Sequence, residues 1–247
     1  MVSSNAKESD VKGSSFASGV DPIVSLKNVI KKYTIGSRII TALDDVSLDI
    51  YDGEFLTIQG PSGCGKSTLL NLMSSMDNPT SGDVYIKGQL TSEMNDNQQS
   101  EFRANNVGFI FQFYNLVDHQ TAIGNVELAI NATGIKMKKK DRREKARKVL
   151  ERLDLLSRMD NKPGELSGGE QQRVAIARAI VNNPAIIIAD EPTGDLDTEI
   201  GGKIIDLFKE LNEKEGRTIV IVTHNPEIGT LGKRRIMMRD YKIVSDN

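Results

Sequence analysis

Apolar residues along this chain follow two rhythms. Over Ile23–Val29, Ile39–Leu43 and Val46–Ile50 the runs are short and partly alternating, which predicts an antiparallel sheet at the N-terminal edge. From Phe55 the rhythm changes. Phe55–Gln59, Ala185–Ala189 and Thr218–Val222 are near-continuous apolar runs separated by helical patterns, as central strands of a parallel sheet covered on both faces should be; Val107–Phe111 adds another strand. Between Gln112 and Lys162 the character is helical: Ala146, Val149, Leu150 and Leu153 recur at i, i+3, i+4 and i+7 in a segment otherwise full of Lys, Arg and Glu. This amphipathic block predicts a helical subdomain inserted into the sheet over approximately residues 112–165. The expected fold is therefore α/β, one domain over residues 23–247. Residues 1–22 read as a disordered tail: rich in Ser, Gly, Lys and acids, they have no apolar segment or small-residue cleavage site of a signal peptide. No apolar run approaches the ~18 residues needed to cross a bilayer, so any membrane role runs through a partner.

Composition narrows the classes further. In 247 residues, 21 Gly and 7 Pro fall well below a low-complexity or collagen-like share. A net charge of −2 argues against a chain that coats nucleic acid over its whole surface, while leaving room for a local basic patch. The single cysteine cannot form an intrachain disulfide, and no His/Cys cluster has metal-ligand spacing. Lys136–Arg143 carries six basic residues and one acid; it reads as a solvated helix start, with attraction to anionic headgroups as the alternative.

The candidate chemistry begins at Gly60-Pro-Ser-Gly-Cys-Gly-Lys-Ser67, which fits G-x-x-x-x-G-K-[ST] and lies between an apolar run and a helical pattern over Thr68–Met76. Gly60, Gly63 and Gly65 let backbone N–H groups turn inward around an anion, beside Ser62, and the helix N-terminus adds partial positive charge. Lys66 supplies a full charge for β/γ-phosphates, the Ser67 hydroxyl suits Mg²⁺, and Thr68 continues the cradle. Cys64 lies in the same nest as a small residue, with no redox role expected. A second anchor is Ile186–Glu191, a buried strand ending in two acids: Asp190 is placed for a direct or water-bridged Mg²⁺ contact, and Glu191 is the better base. Taken alone, Glu191 is equally an ordinary acid before Pro192.

Leu166-Ser-Gly-Gly-Glu-Gln171 holds a puzzle. Ser167 with Glu170 is a capping box opening a helix over Gln171–Val181, which accounts for both residues but not for Gly168 and Gly169. Two glycines in a first turn cost up to roughly 1 kcal/mol each against alanine, so something must approach that backbone closely. A bare helix N-terminus beside a serine hydroxyl is a second anion site, and one nucleotide hardly needs both from one chain.

These three segments, GPSGCGKST at 60–68, LSGGEQ at 166–171 and IIIADE at 186–191, in this order, resemble the ATP-binding-cassette family, specifically the nucleotide-binding subunit of transporters; the likeness covers residues 23–244. It implies a P-loop NTPase fold of that type, with ATP and Mg²⁺ as ligands and a homodimer in which Ser167, Gly168, Gly169 and Glu170 of one copy face the phosphate loop of the other. It also implies roles that composition could not assign. Tyr33, otherwise a strand-edge tyrosine, matches the aromatic that stacks on adenine. Gln112, otherwise a polar strand end, matches the glutamine that reaches Mg²⁺ and the attacking water. Asp197 matches a loop that crosses the dimer interface, and His224 matches the histidine at the γ-phosphate; alone it would be a capping or packing group.

Phe111–Leu116, Asn125–Leu128 and Pro192–Asp197 resemble most the lipoprotein-release and macrolide-efflux group, whose ATPases pair with an integral membrane permease. That resemblance implies a cytoplasmic protein held on the inner face of the membrane through the permease. The cell-division ATPase, which drives no transport, and importer ATPases remain as alternatives. Gly124, Asn225 and Tyr241 depart from the usual pattern, the last where a turn glycine is customary. A P-loop small-molecule kinase would need an acceptor pocket and no LSGGEQ. A nucleic-acid ATPase of this kind would carry a coiled-coil insertion or two cassettes, and no nucleic-acid partner is expected.

Overall fold

The computed structural model describes residues 21–247, so the expectation for the tail lies almost wholly outside the described residues. Strands β1 (Val24–Ile35) and β2 (Arg38–Ile50) form the antiparallel edge expected at the N-terminus. The two runs read separately at Ile39–Leu43 and Val46–Ile50 are one strand, interrupted where Asp44 and Asp45 face a single residue of β1 and Asp45 takes φ 55°. That bulge breaks the alternation of side chains, which is why the pattern looked like two segments. After β3 (Phe55–Gln59) and helix α1 (Lys66–Met73), β4 (Ser81–Ile86) and β5 (Gln89–Leu90) complete this sheet in the order β2-β1-β4-β5.

Helix α2 (Asp96–Asn106), capped by Asn95, leads into β6 (Val107–Ile110). The helical segment follows as α3 (Ala122–Asn131) and α4 (Lys139–Arg152). Residues 112–121, expected at the start of a helical block, are instead a loop. The buried side chain of Asn125 holds it, accepting from the Val117 N–H (2.7 Å) and donating to the carbonyls of Val117 and Thr121, while Thr121 caps α3. In α4 the predicted stripe is inward: Ala146 and Leu150 are fully buried and Leu153 nearly so. The basic run covers the approach to α4 and its first turn and is mostly exposed, with the half-buried Arg142 bonded to Asn131 and Arg143 paired with Asp160, which favours the solvated-face reading.

Helix α5 (Gly168–Ile180), β7 (Ile186–Asp190), helix α6 (Thr198–Glu213), β8 (Thr218–Val222), the short α7 (Pro226–Gly229), β9 (Arg234–Arg239) and β10 (Lys242–Asp246) complete the chain. The second sheet has the order β10-β9-β3-β8-β7-β6, parallel except for the β9–β10 hairpin. Because successive side chains of a strand point to opposite faces, this sheet fills two cores. Ile186, Ile188, Val220 and Val222 pack with α1 and the antiparallel sheet; Ile187, Ala189, Ile219 and Ile221 pack with α3, α4, α5 and α6. Double coverage is the reason these strands are apolar throughout.

Candidate functional site

The order β3-β8-β7-β6 brings the carboxyl ends of four parallel strands side by side, the place where α/β folds bind ligands. Each end carries an expected group: the phosphate loop after β3, His224 after β8, Asp190 and Glu191 at β7, and Gln112 after β6. They border one open cleft of about 520 Å³, together with Tyr33, Ser62, Gly63, Gly65, Lys66, Ser67 and Thr68.

The phosphate loop is wedged against the backbone of its neighbours. A Cβ on Gly60 would meet the Met238 carbonyl oxygen at 2.3 Å, and one on Gly65 the Ala42 carbonyl oxygen at 2.4 Å, with φ of 156° and 104°. Only glycine meets both demands. Gly65 caps α1 without any side-chain hydrogen bond, so the first-turn amides of Lys66, Ser67 and Thr68 stay open to an anion. Lys66 Nζ donates to the carbonyls of Gly60 (2.8 Å) and Pro61 (2.9 Å). Cys64 turns its side chain into the core and, with Gly60, supports the loop from behind rather than bordering the cleft.

Across the cleft, Ser67 Oγ donates to Asp190 Oδ2 at 3.1 Å. Hydroxyl and carboxylate therefore converge, and Gln112 lines the same cleft. No cluster of three or more His, Cys, Asp or Glu suited to a metal occurs among the described residues. One hydroxyl and one carboxylate suit Mg²⁺, which takes few protein ligands and completes its shell with phosphate oxygens and water. Burial raises the Asp190 carboxyl above its ordinary value and Glu191 pushes the same way, against the Ser67 hydrogen bond and the Lys66 charge. A raised carboxyl favours the folded state while protonated, and that contribution is lost as pH rises through the folded value. Asp190→Asn should therefore melt higher than wild type at pH 7 to 8 without ligand, the gap closing as pH falls into the carboxylate range. Scanning calorimetry across pH checks this; a variant that melted lower at pH 8 would show the Ser67 bond outweighing burial.

Glu191 is held in an uncommon backbone conformation, φ 46°, the kind of strain that collects at functional sites. Its Oε1 accepts from the His224 main-chain N–H at 2.8 Å and lies 2.8 Å from Nδ1 of the same residue, so two residues named separately from the sequence form one unit. The carboxyl is mostly sheltered and the imidazole open, with 12% and 73% side-chain exposure. At the other end, Tyr33 donates its hydroxyl to Asp77 at 2.8 Å, with Lys31 Nζ 4.9 Å from its ring.

Ser167, Gly168, Gly169, Glu170 and Asp197 do not border this cleft. The capping box is present: Ser167 Oγ accepts from the Glu170 N–H (3.3 Å), and the Ser167 N–H donates to Glu170 Oε2 (2.8 Å). The helix begins at Gly168, so both glycines are inside it. A Cβ on Gly169 would strike Ile200 at 2.7 Å, so packing against α6 explains that residue within the chain. Gly168 is partly exposed, the Tyr114 hydroxyl being the nearest group to its would-be Cβ at 3.1 Å. Asp197 caps α6, accepting from the Ile200 N–H.

Sequence reasoning missed Ile40, Thr41, Ala42 and Tyr241 on the cleft wall. The first three follow from register, Tyr33 pairing with Ile40. Tyr241 had a signal, an aromatic in a turn that prefers glycine.

A family model described as ABC transporter matches residues 43–194. The ABC transporter ATP-binding protein MJ0796 of Methanocaldococcus jannaschii is 47% identical over 224 residues, 90% of this chain and 95% of that protein. A solved dimeric structure of that cassette, in a post-hydrolysis state bound to ADP and Pi, matches with a TM-score of 0.85, covering 91% of this chain and 97% of that one. The macrolide export ATP-binding/permease protein MacB of Hahella chejuensis is 42% identical over 226 residues, 92% of this chain and 34% of that protein.

Proposed function

The chain belongs to the ABC transporter ATP-binding family, as an ATP-hydrolysing cassette, and from that premise we propose that two copies clasp two ATP molecules head to tail and drive a separate membrane permease of export type. The observation that carries this reading is the division of the site. Groups for phosphate, cation and water share one cleft, while the serine-capped N-terminus of α5 stands outside it. A second copy would supply that helix end as the missing wall. Support for a permease partner and for export comes from MacB, which combines an ATP-binding part and a permease; this chain spans about a third of its length. Among the described residues no helix is long and apolar enough to cross a membrane, in keeping with peripheral attachment to the inner face of the membrane through such a partner.

In the reaction, ATP and water yield ADP and phosphate, so positioning and charge neutralisation carry the rate. Lys66 exchanges its carbonyl partners for β/γ-phosphate oxygens, and the first-turn amides of α1 hold the same group. Ser67, Asp190 and Gln112 would hold Mg²⁺, which when bound neutralises charge growing on the phosphate oxygens. Glu191 orients the attacking water and takes its proton, and His224 fixes the carboxylate and meets the γ-phosphate. Ser167 and Gly168 of the second copy close the site, and Tyr33 receives the adenine.

A site shared between copies makes specific activity depend on protein concentration. Phosphate release from Mg-ATP, with no acceptor added, should fall in specific rate as the protein is diluted. A specific rate constant under dilution, at concentrations where sizing shows only single chains, would overturn the shared site.

A further inference from the structure

We propose that Tyr241 is a nucleoside-binding residue, a second aromatic contact beside Tyr33 for the base and ribose of the bound nucleotide; this deepens the ATP site proposed above and rests on it. Asp240 and Tyr241 are the only two residues between β9 and β10, with φ of 48° and 67°. That is the two-residue turn with both centres left-handed, which favours glycine at its second place. Tyrosine there is strained, and its ring lies outside both core clusters, 38% exposed. Strain at a residue outside both cores points to use at a site.

Its position says which part of the ligand it meets. The Tyr241 carbonyl accepts from the Asp44 N–H at 3.0 Å, and Lys242 pairs with Asp44 at 3.0 Å, fastening the turn to β2. Ala42 of β2 and Met238 of β9 are the residues the phosphate loop is wedged against, so the turn emerges just past the phosphate cradle. Tyr241 borders the same cleft as Ile40, the strand partner of Tyr33. Two sets of side chains thus line the one cleft: glycines, Lys66 and acids suited to phosphate, and the apolar or aromatic group of Tyr33, Ile40 and Tyr241. A purine nucleoside suits the second, because its flat apolar face stacks on an aromatic ring.

The test separates nucleoside from phosphate. Y241G should raise the KM for ATP about five- to a hundredfold, the factor expected for one lost stacking contact, with the effect on KM rather than kcat. Inhibition by inorganic triphosphate, which has no nucleoside, should stay as in wild type. Ligand-free Y241G should melt no lower than wild type, since glycine relieves the turn, and Y241F should restore the KM because the ring face makes the contact. A wild-type KM in Y241G, an equal loss of triphosphate affinity, or a lowered melting temperature would each overturn the assignment. Wild-type protein that neither bound nor hydrolysed ATP would overturn the functional reading itself.

Discussion

Glu191→Gln should hydrolyse ATP about 10²- to 10⁴-fold more slowly than wild type, the range general-base catalysis supplies, while binding Mg-ATP and assembling as a stable dimer. The substitution isolates one property. Glutamine keeps an oxygen where Oε1 accepts from the His224 N–H at 2.8 Å, so the loop after β8 need not move. What is lost is the ability to take a proton from water. Of the residues bordering the cleft, the one other acid, Asp190, is bonded to Ser67. With hydrolysis stopped and both nucleotide-binding surfaces intact, the ATP-bound assembly should persist. Phosphate release and sizing chromatography with Mg-ATP check the two halves of the expectation. A variant retaining more than a tenth of wild-type rate would place the base elsewhere, and one that bound Mg-ATP yet stayed a single chain would sink the shared-site model.

Groups attached to strand ends were legible from the sequence; groups brought in by register and packing were not. Lys66, Ser67, Asp190 and Glu191 each follow an apolar run that must be a buried strand, and parallel strands place their carboxyl ends together. The separation of Ser167 from them was also readable, because a capping box fixes where a helix begins. The reason for Gly169 was not. It faces Ile200 of α6, about thirty residues on, and no local pattern announces which helices touch. The bond between Glu191 and His224 depends on the β7–β8 pairing of Asp190 with Val222, a register invisible in either strand alone. Residues 112–121 misled for another reason: Asn125, buried and fully bonded, organises a loop that composition alone reads as helix.

Ser167→Arg should leave the single chain folded and reduce ATP hydrolysis by about 10²-fold or more, as removal of one aligned donor to transferring charge does elsewhere. As a cap, Ser167 is worth ~1 kcal/mol, a loss of about 2–4 °C in melting temperature for a domain of this size. That is too little to explain inactivity, and calorimetry can verify it. The exposed Ser167 side chain does not border the cleft that holds Lys66 and Glu191, so arginine there should not obstruct ATP entering the same chain. Mixed assemblies decide whether the effect crosses between chains. When E191Q chains are mixed with S167R chains, a shared-site arrangement pairs the good Glu191 of one with the good Ser167 of the other, and first-turnover ADP should reappear. Chains carrying both substitutions, mixed in excess with wild type, should instead spoil both sites of each mixed pair. If Ser167 acted only within its own chain, the pattern would reverse, with the first mixture inactive and the second retaining the wild-type chain's site. The sign of that comparison does not depend on how strongly either substitution perturbs stability, because both mixtures contain the same two lesions.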